Sequence, residues 1–264
     1  MSPQLLATRE FAVIHNHSAN QQAQAEQLAT NIAHIRTNIA AAARRAGRDP
    51  SEITLIAVSK TRPIEQVMMA YQLGITDFGE NRVQEALPKI TQFHPAGLHW
   101  HMIGHLQSNK VGKVAGVFDS VQSVDSLQLA QLLERHAANH AIRLPVLLEV
   151  NVTGEESKAG MTADETLSLA PLLVTLPHLA VQGLMTVAPL VANAEDVRPV
   201  FRTLCLLRDR LRAQVPSCTW QHLSMGMTDD YIIAIEEGAT IVRIGRAIFG
   251  NRIYTVDRGN TDES

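Results

Sequence analysis

The chain alternates between short apolar runs and amphipathic segments along most of its length. Residues 21–46 place apolar side chains every three to four positions, and Gly47 followed by Asp49 and Pro50 ends that pattern, which predicts a first helix. Eight short apolar runs follow, with six amphipathic segments between them. The predicted strands are residues 53–60, 76–79, 98–104, 120–124, 145–152, 180–187, 221–225 and 241–244. The predicted helices are residues 64–73, 83–93, 127–141, 163–175, 196–214 and 229–237.

Strands that alternate with helices are typical of parallel β-α-β units, and eight is the number of strands that closes a barrel. A doubly wound parallel sheet is the alternative, and periodicity alone does not separate the two. No G-x-G-x-x-G motif follows the first strand, and Gly112-Lys113 is followed by Val114, so neither common nucleotide-binding loop is present. We therefore predict a single (β/α)8 TIM barrel preceded by an extra N-terminal helix.

Length, composition and charge narrow the classes of protein. The 264 residues are 45% hydrophobic, which is ample for a large core, and the net charge of −3 offers no field that would attract nucleic acid. Cys205 and Cys218 form no spaced disulfide framework and suit a reducing cytoplasm. The long uncharged run at 167–193 contains three prolines, which argues against a membrane span.

The same patterns divide the chain into three parts. We expect a disordered leader at residues 1–20, one barrel domain at 21–254 and a flexible tail at 255–264.

Lys60 closes the first apolar run and is the first residue that suggests chemistry. A lysine held against apolar walls loses stabilisation of its charge, so its pKa falls toward the range in which the amine is nucleophilic. That is the requirement for a lysine that forms a Schiff base. The alternative is a lysine at a strand end whose amine simply reaches solvent.

The segment after the seventh strand has the character of an anion site. Small residues let the backbone approach a ligand there, and Thr228 is expected to cap a helix that begins at Asp229, leaving N–H groups to face a phosphate. Gly245 adds a second place for close approach, and loops after strands 7 and 8 of such barrels commonly bind phosphate. An ordinary capped helix with turn glycines is the alternative.

Two further features allow other interpretations. His99 and His101 lie on one face of the third strand, as in some metal sites, although hydrogen-bonded histidines are the more common case. Glu149 lies within the fifth strand and needs a partner if it is buried; Arg243 and His101 are the candidates.

Several longer motifs occur in collinear order between residues 21 and 252. They are AVSKT at 57–61, FGENRVQE at 78–85, WHMIGHLQSNK at 100–110, EVN at 149–151, KAGM at 158–161, GLMT at 183–186, LSMGMTDD at 223–230 and VRIGRAIFG at 242–250. Together they resemble the pyridoxal phosphate homeostasis protein family, the YggS/PROSC type.

The resemblance implies a barrel similar to the barrel domain of alanine racemase. It implies that Lys60 carries pyridoxal 5′-phosphate (PLP) as an internal aldimine, that Arg243 faces the pyridine nitrogen and that Asn81 lies near the cofactor. The residues it places around the phosphate are Ser224, Met225, Thr228, Gly245 and Arg246. Arg246 is a departure, since relatives often have Thr or Ser there, so a backbone N–H or the guanidinium must replace that hydroxyl.

The resemblance further implies a cytoplasmic carrier and regulator of PLP supply rather than an enzyme. Its expected ligands are PLP and other B6 vitamers, and its expected partners are PLP-dependent apoenzymes in transient contact, with no nucleic acid and no membrane. The expected oligomeric state is a monomer or weak dimer.

A guanidinium at the pyridine nitrogen would act as a donor and leave the ring unprotonated, which weakens the cofactor as an electron sink. Racemisation also needs a second base, and Tyr71, Tyr231 and Tyr254 fall in predicted helices or the tail. We therefore expect no catalytic residue and no metal. A PLP-dependent amino-acid racemase and a metal-dependent barrel hydrolase built on His99 and His101 are the alternatives.

Overall fold

The structure is a computed structural model that describes the backbone of residues 3–155 and 158–251 and the side chains from residue 22 onward within those ranges. Eight parallel strands pair in chain order, and the first also pairs with the last, so the sheet closes into a barrel. The strands are β1 (Thr54–Val58), β2 (Asp77–Glu80), β3 (His99–Met102), β4 (Ser120–Val124), β5 (Leu144–Glu149), β6 (Leu179–Met185), β7 (His222–Ser224) and β8 (Ile241–Ile244). The predicted TIM barrel is confirmed.

Helices surround the barrel, and three short 3-10 helices lie among them. The α-helices are α1 (Pro3–Arg45), α2 (Ile64–Gln72), α3 (Val83–Gln92), α4 (Leu127–Asn139), α5 (Ala163–Leu173), α6 (Arg198–Gln214), α7 (Tyr231–Glu236) and α8 (Arg246–Phe249). The 3-10 helices are Pro50–Glu52, Ser108–Lys113 and Ala194–Val197. The helix Ser108–Lys113 takes the place of an α-helix between β3 and β4.

Helix α1 begins earlier than its sequence pattern indicates. Its apolar periodicity starts near residue 21, but the backbone is helical from Pro3, so the predicted start of the helix was wrong. Residues 3–20 lack the regular spacing of apolar residues from which the helix was predicted. The preceding residues contain no glycine, and their only proline is the first residue of the helix, so nothing interrupts the backbone there. The division into leader, barrel domain and tail stays a prediction, and residues 255–264 lie outside the described residues.

The C-terminal half of α1 packs across α7 and α8 and covers one side of the barrel. Asn31 donates a 2.8 Å hydrogen bond to the carbonyl of Ile248, and Asn38 donates one of 3.0 Å to the hydroxyl of Tyr231. Arg45 pairs with Glu236 at 2.8 Å. These contacts tie the extra helix to the part of the chain that follows β7 and β8.

Successive side chains of each strand point alternately into the barrel and out toward the helices, which separates two apolar clusters. Side chains that face outward, such as Phe78 and Trp100, join the helices in one large core. A small interior cluster of Ile56, Leu147, Met185 and Ile241 fills the centre of the barrel. The interior is therefore a packed layer rather than a channel, and the polar side chains above it line the mouth formed by the carboxyl ends of the strands. In the described part of the chain, no helix is both long and apolar enough to cross a membrane.

Candidate functional site

Lys60 lies in the turn that follows β1, at the mouth of the barrel, and is half-buried. The turn is held by the N–H of Ser59, which donates to the carbonyl of Gly79 at 3.0 Å, and by Thr61, whose φ of 61° is unusual for a residue other than glycine. The lysine faces a cavity of about 470 Å³ that also reaches the loop after β8. The residues that line it are Val58, Lys60, Thr61, Arg62, Gly245, Arg246, Gly250 and Asn251.

Gly245 allows β8 to approach β1 closely. A Cβ atom at this position would lie 3.2 Å from the carbonyl oxygen of Val58 and 3.3 Å from its Cβ, both tighter than ordinary contacts. The absence of a side chain leaves the backbone of Gly245 accessible beside Lys60. Three of the predicted cofactor-binding residues, Lys60, Gly245 and Arg246, therefore line one cavity. The guanidinium of Arg246 pairs with Asp229.

The loop after β7 folds differently from its sequence-based interpretation. Helix α7 begins at Tyr231, and residues 228–230 form a turn, because the carboxylate of Asp230 accepts a 2.5 Å hydrogen bond from the N–H of Met227. The prediction that Thr228 caps a helix starting at Asp229 was therefore wrong. The hydroxyl of Thr228 instead accepts a long hydrogen bond of 3.4 Å from the N–H of Ala247, which links the loops after β7 and β8.

A fully buried polar network forms the floor of the mouth. Arg243 donates through Nη1 to the hydroxyl of Ser224 at 2.6 Å and through Nη2 to the carbonyl of Thr186 at 2.8 Å. Ser224 in turn donates to Oε1 of Gln122 at 2.7 Å. Burial lowers the pKa of Arg243 to about 10, although the negative charges of Glu149 and Asp230 oppose the shift, so the guanidinium stays protonated at neutral pH.

Two of the residues predicted to bind the phosphate, Ser224 and Met225, have hydrogen bonds within the barrel. The hydroxyl of Ser224 bonds to Arg243 and Gln122 within the barrel. Met225 is fully buried, and its N–H donates to the carbonyl of Ile241 at 3.1 Å. Both residues lie beneath the mouth, whereas Thr228, Gly245 and Arg246 lie at its edge.

Glu149 ends β5 with only 8% of its surface exposed, and its Oε2 atom has no hydrogen-bond partner. Burial raises its pKa to about 7, with a further contribution from the nearby charge of Asp125, while Arg243 and His105 oppose the shift. Arg243 and His101 were the partners predicted for Glu149. Arg243 lowers the pKa of Glu149 through its positive charge but forms no hydrogen bond with it. His101 is not a partner.

The two ring nitrogens of His101 are both engaged by side chains of the neighbouring strands β2 and β4. Nε2 lies 2.9 Å from Oδ1 of Asp77, and Nδ1 lies 2.7 Å from the hydroxyl of Ser120. His99 faces Asp119 at 3.7 Å and is half exposed. Among the described residues, no three histidine, cysteine or acidic side chains form a group that could hold a metal ion. The structure therefore does not support the alternative of a metal-dependent hydrolase built on these histidines.

A buried ion pair beside Lys60 was not predicted from the sequence. The carboxylate of Glu80 accepts hydrogen bonds of 2.7 Å from Nζ of Lys89 and from the hydroxyl of Ser59, and Lys89 also donates to the carbonyl of Ser59 at 2.7 Å. Sequence carried one signal for it, since Lys89 lies three positions after Ala86 on the buried face of α3. The pair holds the backbone that leads directly into Lys60.

Asn81 follows β2 and lines a second cavity at the mouth, of about 560 Å³, together with Met102 and His105. Its Oδ1 atom is buried and, like Oε2 of Glu149, has no partner. Buried polar atoms in folded proteins are nearly always hydrogen-bonded. A ligand with polar groups that contacts the lysine, the open backbone of Gly245 and these two atoms fits the residues at this mouth.

Comparisons with known sequences agree with this geometry. Residues 30–252 match the family described as alanine racemase, N-terminal domain. The chain is 43% identical over 229 residues to a pyridoxal phosphate homeostasis protein of Vibrio alginolyticus, a match that covers 85% of this chain and 97% of that protein. It is 42% identical over 234 residues to the protein of the same name in Escherichia coli K12, covering 86% and 98% of the two chains.

Solved structures show the same relationship. PipY of Synechococcus elongatus with PLP bound superposes with a TM-score of 0.74 at 34% identity, covering 84% of this chain and all of that one. An alanine racemase of Clostridium difficile superposes with a TM-score of 0.62 at 15% identity, covering 86% of this chain and 57% of the racemase. At that identity the racemase supports the fold alone.

Proposed function

Because the chain belongs to the family of pyridoxal phosphate homeostasis proteins and carries the alanine racemase N-terminal domain, we propose that it binds PLP at the barrel mouth and acts in intracellular supply of that cofactor. The observation that carries this proposal is the cavity shared by Lys60, Gly245 and Arg246. PLP supplies an aldehyde that a lysine amine can hold covalently and a phosphate that needs donors nearby.

Each residue of the mouth has a proposed role. Lys60 holds the cofactor covalently, and Arg243 donates a hydrogen bond to the pyridine nitrogen while keeping its own proton. The open backbone at Gly245, the hydroxyl of Thr228 and the guanidinium of Arg246 bind the phosphate. Asn81 binds a polar group of the ring through its unpartnered Oδ1. Ser224 and Met225 support this site from below, since their hydrogen bonds lie within the barrel.

The function we propose is carriage of PLP rather than amino-acid turnover. A protonated Arg243 leaves the bound ring a poor electron sink. The described tyrosines do not offer a second base, because Tyr71 donates its hydroxyl to the carbonyl of Ala96 and the hydroxyl of Tyr231 accepts from Asn38 of α1. Tyr254 lies outside the described residues.

Several finer points belong to the same proposal. Residues 21–254 form one PLP-binding domain between a leader and a tail, and the protein acts in the cytoplasm as a monomer or weak dimer. PLP and other B6 vitamers are its ligands, and PLP-dependent apoenzymes contact it transiently.

The proposal is tested by mapping the bound cofactor. The purified protein is incubated with PLP, its visible absorption recorded, and the adduct located by peptide mapping after borohydride reduction. We expect the adduct on Lys60, and we expect Lys60→Ala to remove it while unfolding stays cooperative. Lys113→Ala, a change at an exposed lysine, serves as the control.

Two other results would contradict the proposal. An adduct on a different lysine would overturn the role of Lys60. Turnover of alanine or serine by the wild-type protein that disappears in Lys60→Ala would favour the racemase alternative.

A further inference from the structure

The barrel mouth contains a buried carboxyl group without a salt bridge. Glu149 shares the interior face of β5 with Leu147, and its Oε2 atom is unpartnered. Glu80 is also buried, but it faces outward to α3, where Lys89 neutralises it. Burying an ionised carboxylate without such a partner is costly, so the packing around Glu149 favours the neutral, protonated carboxyl when water is excluded.

The charged groups around Glu149 come from three strand ends. Asp125 follows β4, and His105, which follows β3, pairs with it at 3.2 Å and is largely exposed. Arg243 reaches in from β8, but two of its donors are used by Ser224 and Thr186. Beside β5 on the other side, β6 is followed by the uncharged Thr186, whose hydroxyl donates to the carbonyl of Val150. Glu149 thus has one neighbouring anion, one cation that does not bond to it and one titratable histidine at the rim.

We propose that Glu149 is a further cofactor-facing residue and that PLP binds together with one proton taken up by its carboxyl group. The inference rests on the proposed function. A phosphate ester carries a charge of about −1.5 to −2 at neutral pH, and adding this charge to a mouth that already contains Asp125 disfavours a second carboxylate there. The ligand also shields the mouth from water, and this loss of solvation further favours the protonated form of Glu149.

The proton comes from the solvent and ends on an oxygen of Glu149, and no covalent bond of the cofactor takes part. A protonated carboxyl has an O–H group that donates to a ligand oxygen, whereas a carboxylate can only accept. The pKa of about 7 before binding leaves most of the carboxyl ionised slightly above neutral pH, so the uptake is measurable there.

The experiment is calorimetric titration of the full chain, freed of cofactor, with PLP at pH 7.5 in buffers of different ionisation enthalpy. The dependence of the heat on the buffer gives the number of protons taken up. We expect wild-type protein to take up at least about half a proton more than Glu149→Gln, which is neutral and similar in shape. Glu65→Gln, the same change at an exposed position on α2, should match wild type.

The affinity provides a second measurement of the same linkage. Between pH 7 and 8.5 we expect the Kd of the wild-type protein to rise relative to that of Glu149→Gln, by up to about tenfold per pH unit. Protonation changes of PLP and of Lys60 are common to both proteins and cancel in the comparison. A wild-type protein that does not bind PLP would overturn the proposed function, whereas binding with equal proton uptake in both proteins would overturn only the role of Glu149.

Titration of the wild-type carboxyl covers the case in which Glu149→Gln does not fold. Carbon NMR of the protein labelled at glutamate reports the pKa of Glu149 with and without PLP. We expect the pKa to rise by one unit or more on binding. An unchanged or lower value would overturn the inference.

Discussion

The guanidinium of Arg243 donates a hydrogen bond of 2.6 Å to the hydroxyl of Ser224, and this contact joins β8 to β7 inside the barrel. Ser224 passes the connection on to Gln122 of β4, so three strands are linked through one hydroxyl. All three side chains are nearly inaccessible to water. The orientation of Arg243 toward the mouth is therefore fixed before any ligand arrives.

Ser224→Ala tests how much this hydrogen-bond network contributes to the stability of the fold. The change removes the partner of Nη1 of Arg243 and of Oε1 of Gln122 in a buried site, while Nη2 of Arg243 keeps the carbonyl of Thr186, so we expect the free energy of unfolding to fall by about 1–3 kcal/mol. Urea denaturation measures it. The matched control is Ser123→Ala, because the hydroxyl of Ser123 is buried without a partner and its removal should be neutral or stabilising. Equal losses for the two variants would contradict the role of the network.

Glu149 makes the stability of the cofactor-free protein depend on pH. Its pKa is raised from 4.5 to about 7 in the folded state, so the folded protein binds more protons than the unfolded chain between these values. Stability from this group is fully present below about pH 4.5 and is lost as pH rises toward 7, by about 3 kcal/mol in total. Glu149→Gln should remove this loss.

The measurement is the difference in unfolding free energy between wild type and Glu149→Gln at several pH values from 5 to 8. Other carboxyl groups, such as Asp77, have lowered pKa values and act in the opposite direction, but they are common to both proteins. A difference that stays constant across this range would show that Glu149 titrates normally.

Gly226 is required by the loop after β7. Its φ is +94°, and a Cβ atom there would lie 2.6 Å from Cβ of Ala234 and 2.9 Å from Cα of Tyr231. Gly226→Ala should therefore displace the loop that carries Thr228, weaken PLP binding and lower stability by more than about 1 kcal/mol.

Gly97→Ala separates the two causes of this effect. Gly97 also has a positive φ, +82°, but a Cβ there would meet nothing within 4 Å. It should show the cost of backbone strain alone and leave PLP affinity unchanged. Fluorescence titration with PLP and thermal unfolding measure both quantities, and a similar loss of affinity in both variants would contradict the contact with α7.

Hydrophobic periodicity was sufficient to predict the eight strands, whereas the choice of a closed barrel also needed the strand count and the absence of the common nucleotide-binding motifs. Each strand of the structure overlaps a predicted run because alternating burial inside a barrel and beneath its helices leaves a strong pattern. The start of α1 was missed because residues 3–20 are helical without a regular periodicity of apolar residues. The position of Lys60 at the mouth followed from its place at the end of a strand.

Side-chain partners were harder to predict than positions. His101 was a candidate partner for Glu149, but the two lie at different heights in the barrel, and strand register decides that His101 meets Ser120. Thr228 was expected to cap a helix, but the N–H groups of Asp230 and Tyr231 both donate to the carbonyl of Met227, and α7 begins at Tyr231. Such hydrogen bonds depend on distances between atoms in the folded chain, which cannot be read from the spacing of residues in the sequence.

The ion pair of Glu80 and Lys89 offers a test of how Lys60 is positioned. Lys89 donates to the carbonyl of Ser59, the residue before Lys60, so it connects α3 to the lysine through the backbone. Lys89→Met leaves the carboxylate of Glu80 buried and uncompensated, and we expect a loss of about 3–5 kcal/mol. Glu85→Gln breaks the more exposed contact between Glu85 and Arg82 and should cost less than about 1 kcal/mol.

The double variant Glu80→Gln/Lys89→Met distinguishes stability from positioning. With both charges removed, the buried site is neutral, and the glutamine can still accept from the hydroxyl of Ser59, so much of the lost stability should return. The carbonyl of Ser59 nevertheless remains without its donor. We therefore expect the double variant to fold well and yet to attach PLP to Lys60 more slowly than wild type, by stopped-flow absorbance. Wild-type attachment rates in a stably folded double variant would show that the ion pair serves stability alone.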